Sequence, residues 1–194
     1  MDYIEIAMHY QQLNKLRLQL RRREIKVSDA LLLLLRFLRP QLPGDRLTWL
    51  NRELLGYSKD DLEAFYEKPK FGAIYSFFQP PKRTRMRMEI PNYRFLMGTW
   101  GRVSQEGKFV SVTEPTLVEK SIFCNIGIQQ IETQLEEIEE PLTSLFSMSF
   151  DENTGAEFYC WSKELLRVYE AVRFKLVDFI EAVIDELELA PNER

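Results

Sequence analysis

The sequence predicts an α+β fold: N-terminal helices, a small antiparallel β-sheet in the middle and a long C-terminal helix. Three observations carry that expectation. Leucines recur at helical spacing through residues 1–57, residues 70–113 alternate polar with apolar side chains or cluster aromatic ones, and Phe158 to Leu189 contains neither proline nor glycine. The 194 residues carry no internal repeat and no long linker, so a single domain over 1–194 is expected, helical in 1–57, strand-rich in 70–113 and helical in 125–189.

Tyr3 to about Glu24 holds good helix formers with Leu13, Leu16 and Leu20 on one face, and Arg21, Arg22 and Arg23 at its end complement the negative pole of the helix dipole. Ser28 stands where an N-cap belongs, ahead of the apolar run Ala30 to Leu35, and Pro40 bounds this second helix at Arg39. A third helix follows Pro43-Gly44-Asp45, with Asp45 as cap, Leu47, Leu50 and Leu54 on one face and Gly56 as its stop. Phe71 to Phe78 favours strand, and Lys82 to Ile90 alternates strictly, which places Arg83, Arg85 and Arg87 on one face and Thr84, Met86, Met88 and Ile90 on the other. Tyr93 to Met97 and Arg102 to Val112 read as further short strands, broken by Gly98, Gly101 and Gly107. Ile128, Ile131, Leu135 and Ile138 define a helix that Pro141 ends, with Glu132, Glu136, Glu137, Glu139 and Glu140 as its solvated side. Asp151 to Gly155 is turn chemistry. In the last helix Leu165, Tyr169, Val172, Leu176, Phe179 and Val183 form a heptad-like seam widened by Val168, Ile180 and Ile184, the breadth of a core helix rather than of a free coiled coil.

The net charge of −4 conceals a split: residues 1–102 hold 19 basic and 11 acidic side chains, the remainder 7 and 19. Such asymmetry suggests either an acidic partner for the first half or pairing of the halves with each other. Two cysteines, Cys124 and Cys160, make neither a disulfide framework nor a zinc set, and His9 is the single histidine. There is no Gly-rich phosphate loop, no nucleophile in a recognisable setting, and no apolar run near the ~20 residues of a membrane span. Asp151, Asn153 and Gly155 fail as a calcium loop because the glycine sits at position five and Ser162 at position twelve. A cytoplasmic protein without catalytic residues, metal or cofactor is expected, with Asp60, Asp61 and Glu63 as solvated loop acids.

The most specific chemical feature is the strand face Arg83, Arg85 and Arg87, with Lys82 beside it and Arg94 on the next strand. Side chains on one strand face stand about 7 Å apart, close to the phosphate spacing of a nucleic-acid strand, so nucleic acid or another phosphate ligand is one expectation. Outward charge that protects a sheet edge is the competing one.

Val27 to Ile74 resembles the opening of the AbiTii-type abortive-infection domain. Trp49, Glu53, Leu54, Gly56 and Tyr57 fit a W-x-x-x-E-L-x-G-Y signature, and Asp60, Asp61 and Leu62 fit the acidic insert after it. A P-x-Y-R element that leads into a strand is not met in Phe65 to Ile74, where Tyr66 precedes Pro69 and arginine is absent. Val168 to Val183 is similar to the family's closing helix, with Val172, Arg173, Leu176 and Phe179 at matching places. The resemblance implies a non-catalytic sensing or interaction module in bacterial anti-phage defence, whose partner is a protein (a defence component, a phage factor or a second copy). It supplies no catalytic residues. The matched positions read as structural, and Glu53 could pair with Arg173 between elements.

Overall fold

A computed structural model of the chain describes residues 3–40, 42, 44–61, 91–106, 108–112, 121–138 and 144–189. Within them run helices α1 (Tyr3–Arg21), α2 (Val27–Leu38) and α3 (Gly44–Leu55), a 3-10 turn (Asn92–Arg94), strands β1 (Phe95–Val103), β2 (Phe109–Ser111) and β3 (Ser121–Phe123), helix α4 (Ile128–Glu137), strands β4 (Leu145–Asp151) and β5 (Ala156–Trp161), and helix α5 (Ser162–Leu189). The expected α+β architecture is present. All strand pairs are antiparallel, in the order β2-β1-β5-β4, with β3 also paired to β1.

The long helix organises the core. Leu165, Val168, Val172, Leu176, Ile180, Val183 and Ile184 are buried, as the seam requires, and meet Leu13, Leu16 and Leu20 of α1, Leu31 and Leu34 of α2, and Ile128 and Ile131 of α4 in one apolar cluster. Each such side chain contributes about 1.5–3 kcal/mol by leaving water. No helix among the described residues is long and apolar enough to cross a membrane.

Four local expectations give way. The last helix begins at Ser162, because Phe158 to Trp161 belongs to β5, and β4 with β5 forms a hairpin inside the stretch read as helical. The burial pattern explains this: Ala156, Phe158 and Cys160 point inward and their neighbours outward, a period of two. β1 passes through Gly98 and Gly101 without a break. A Cβ at Gly98 would stand 2.3 Å from the Tyr159 carbonyl oxygen and 2.5 Å from the Phe158 ring, so the glycine lets two strands approach rather than ending one. Ser28 lies inside the first turn of α2, since Lys26 takes the N-cap position without a side-chain cap bond. Asp45 likewise falls within α3, which starts at Gly44.

Glu132 is the fourth. It is buried, not solvated: its carboxylate accepts the Ser28 amide (3.1 Å) and the Ser28 hydroxyl. The Tyr169 hydroxyl accepts the Val27 amide at 3.3 Å. The unpaired amides at the start of α2 are thus satisfied by α4 and α5 instead of by the helix's own cap, and the carboxylate sits at the positive end of the dipole.

Candidate functional site

Every polar residue of the tryptophan-to-tyrosine signature converges on one buried knot. Trp49 and Glu53 are one helical turn apart on α3, and Gly56 (φ +99°) ends that helix and turns the chain so that Tyr57 returns beneath it. The Tyr57 amide donates to the Asn125 carbonyl oxygen at 2.8 Å. The 3-10 turn brings in Tyr93 and Arg94. The Arg94 guanidinium donates to Glu53 Oε2 through Nε (3.1 Å) and Nη2 (2.6 Å), and through Nη1 to the carbonyl oxygens of Cys124 (3.0 Å) and Ile126 (2.7 Å). Glu53 Oε1 accepts the hydroxyls of Tyr57 (2.6 Å) and Tyr93 (2.8 Å), while Trp49 Nε1 donates to the Tyr93 oxygen at 3.0 Å.

Glu53 and Arg94 both have 0% exposed side chains, so the carboxylate and the guanidinium leave water entirely and replace it with each other and with these donors and acceptors. Burial first, and then the adjacent Glu53 charge, push the Tyr57 and Tyr93 hydroxyls well above the ordinary tyrosine range, which keeps them as donors. The Arg94 guanidinium also lies 5.1 Å from the centre of the Tyr57 ring. This arrangement ties α3, the turn before β1 and the segment before α4 together. Its charged centre, Glu53 with Arg94, is enclosed, while Trp49 and Tyr93 are half-buried.

The predicted basic strand face fares differently residue by residue. Lys82, Arg83, Arg85 and Arg87 lie outside the described residues. Arg94 is interior and bound to Glu53, and so is withdrawn from any phosphate. Glu53 therefore does not pair with Arg173; that arginine, on α5, has Glu170 at 3.6 Å and lies 5.0 Å from the Tyr169 ring. Leu54 is buried in the core cluster. Asp61 caps a turn: its carboxylate accepts the Ser58 amide (2.9 Å) and hydroxyl (2.8 Å) and pairs with Arg52. Burial acts to raise its pKa, but those partners outweigh it and hold the carboxyl below the usual range.

Cys124 and Cys160 are free thiols at 0% exposure, and burial pushes them up to about 11 and about 12. Neither is a thiolate at neutral pH. Among the described residues no group of three or more His, Cys, Asp or Glu is placed to hold a metal ion.

The half-to-half charge asymmetry resolves into contacts. Arg17 and Arg21 of α1 meet Glu181 of α5, Arg23 meets Glu170 at 3.3 Å, and Lys26 meets Glu136 of α4 at 2.6 Å. Basic first-half and acidic second-half residues thus face each other inside one chain.

The outer face of the sheet is apolar and open. Met97 (54% exposed), Leu145 (42%) and Trp161 (45%) surround a shallow hollow of about 360 Å³ that Phe109 and Tyr159, stacked edge to face at 5.3 Å, also line. Lys163 and Glu164 stand at its rim, and the Glu164 carboxylate is occupied by the Met97 amide (3.2 Å) and Arg167 (3.0 Å). Lys163 makes no ion pair among the described residues.

Sequence reasoning missed the role of Tyr93 and Arg94, although Pro91-Asn92-Tyr93-Arg94, directly before a strand, has the P-x-Y-R order that Phe65 to Ile74 lacks. Comparison with protein-family models, with curated proteins and with solved structures finds no match to this chain.

Proposed function

We propose that the chain works by binding rather than by catalysis, as a sensing or interaction module of the abortive-infection type in bacterial anti-phage defence. The observation that carries this is the knot: Trp49, Glu53, Tyr57, Tyr93 and Arg94 bond to one another around the fully buried Glu53–Arg94 pair, so the residues of the signature spend their chemistry on the fold. The P-x-Y-R order at Pro91–Arg94, directly ahead of β1, supports the resemblance, because it joins the signature physically through Glu53.

Contact then falls to the outer sheet face. Its occupant is a protein that inserts an apolar side chain between Met97, Leu145 and Trp161 and sets a carboxylate opposite Lys163, a rim charge with no ion pair among the described residues. Tagged protein recovered from phage-infected bacteria should carry a specific partner that is lost with Trp161→Asp while the variant keeps its circular dichroism spectrum. Recovery of the same partner by Trp161→Asp, or of none by the unaltered chain, would overturn the reading.

A further inference from the structure

Between α2 and α3 runs a groove of about 540 Å³. Leu35 (6% exposed) and Leu54 (7%) close its floor, while Leu32 (51%) and Leu55 (75%) stand out from its walls. On α2, Leu32, Arg36 and Arg39 follow at spacings of four and three, one stripe along the helix, and Asn51 with Leu55 forms the facing stripe on α3. Single exposed leucines are ordinary, but two on facing walls of one recess make an apolar patch. Leu55 is also held in place. Gly56 turns the chain directly after it at φ +99°, and a Cβ at Gly127 would stand 2.8 Å from the Leu55 carbonyl carbon. An apolar anchor on so fixed a backbone loses little freedom on binding.

The charge at this groove is unmatched. Arg17, Arg21, Arg23 and Lys26 each face a carboxylate of α4 or α5, whereas Arg36 and Arg39, both exposed, have no ion pair among the described residues. No acidic side chain among the described residues lines the groove with them. Their place near the C-terminal end of α2 suits the helix dipole, yet it leaves both guanidinium forks free to bind. An occupant that fills the recess is therefore apolar on one side and acidic beside it. A second copy docked through the same face would set Arg36 and Arg39 against their own counterparts, and a bilayer would meet the protruding leucines but leave the recess empty.

We propose that the groove between α2 and α3 docks an acidic amphipathic helix of a partner protein. Leucine-type side chains of that helix enter between Leu32 and Leu55 over Leu35 and Leu54, and carboxylates one turn apart on its flank pair with Arg36 and Arg39. This contact is independent of the outer sheet face and rests on none of its residues.

Fluorescence anisotropy of the full chain with a labelled synthetic peptide tests the assignment. The peptide is a helix of about 18 residues with leucines along one face, glutamates flanking them and alanine elsewhere. It should bind in the micromolar range at low ionic strength and more weakly as salt rises, and a version with lysines for glutamates should bind at least about tenfold more weakly. Arg36→Glu/Arg39→Glu should reverse that preference, and Leu55→Asp should weaken the acidic peptide about tenfold or more while the circular dichroism spectrum is kept. Lys15→Glu/Lys175→Glu, which changes the net charge equally on α1 and α5, should leave affinity unchanged. Absence of binding at about 100 μM peptide, equal affinity for the two peptides, or affinity unaltered by Leu55→Asp would overturn the proposal. So would binding to phosphatidylglycerol vesicles, lost with Leu55→Asp, in place of binding to the peptide.

Discussion

The Glu53–Arg94 pair shows how much depends on completing a buried charge. Removing one partner leaves the other ionised in an interior with no water to replace it, so Glu53→Ala should cost about 3–5 kcal/mol in denaturant unfolding, far more than any of the exposed pairs. Arg94→Lys should fare poorly too, since an ammonium cannot span Glu53 and the Cys124 and Ile126 carbonyl oxygens as the planar fork does. The two thiols set a pH limit. Their protons are held to about 11 (Cys124) and about 12 (Cys160) in the fold against 9.0 ordinarily, so the unfolded chain releases them first and stability falls as pH rises from about 9. A Cys124→Ala/Cys160→Ala double variant should flatten that alkaline decline in thermal melts. In the native protein at pH 7 neither thiol should react with an aromatic disulfide reagent, while both should in denaturant.

Helix ends and strand junctions hold the surprises, and they do so for a common reason: their partners are remote in sequence. Helical periodicity and glycine or proline boundaries placed α1, α2, α3 and α4 within a few residues, because those signals are local. The β4–β5 hairpin escaped because Phe158 to Trp161 adjoins a helix of the same apolar character, and only the inward turn of Phe158 and Cys160 against β1 makes it strand. Glu132 escaped because nothing near it in the chain shows that Ser28 needs an acceptor. Glu132→Ala should therefore destabilise by about 1–3 kcal/mol through the stranded amide and hydroxyl at the start of α2, and hydrogen exchange should quicken there first. Gly56 was legible as a stop. Its φ of +99° and the 2.5 Å that would separate a Cβ from the Asn125 carbonyl oxygen imply that Gly56→Ala displaces Tyr57, with a loss of about 1–3 kcal/mol or more.

Across the molecule, the sequence left open whether the two oppositely charged halves meet, and the pairing of α1 with α5 answers it by geometry that no composition contains. These pairs are largely exposed, so they orient α1 more than they hold it; the buried Leu13, Leu16 and Leu20 do the holding. The knot around Glu53 was half legible, since the signature on α3 named one side of it and the turn at Asn92–Arg94, forty residues on, supplied the other. The α1–α5 contact also sets a timetable. The Arg21–Glu181 bond joins residues 160 apart in the chain, so α1 emerges from the ribosome long before its partner helix exists, with three leucines uncovered in the interval. Until α5 has been made, that apolar stripe is exposed surface of the kind that chaperones cover during synthesis.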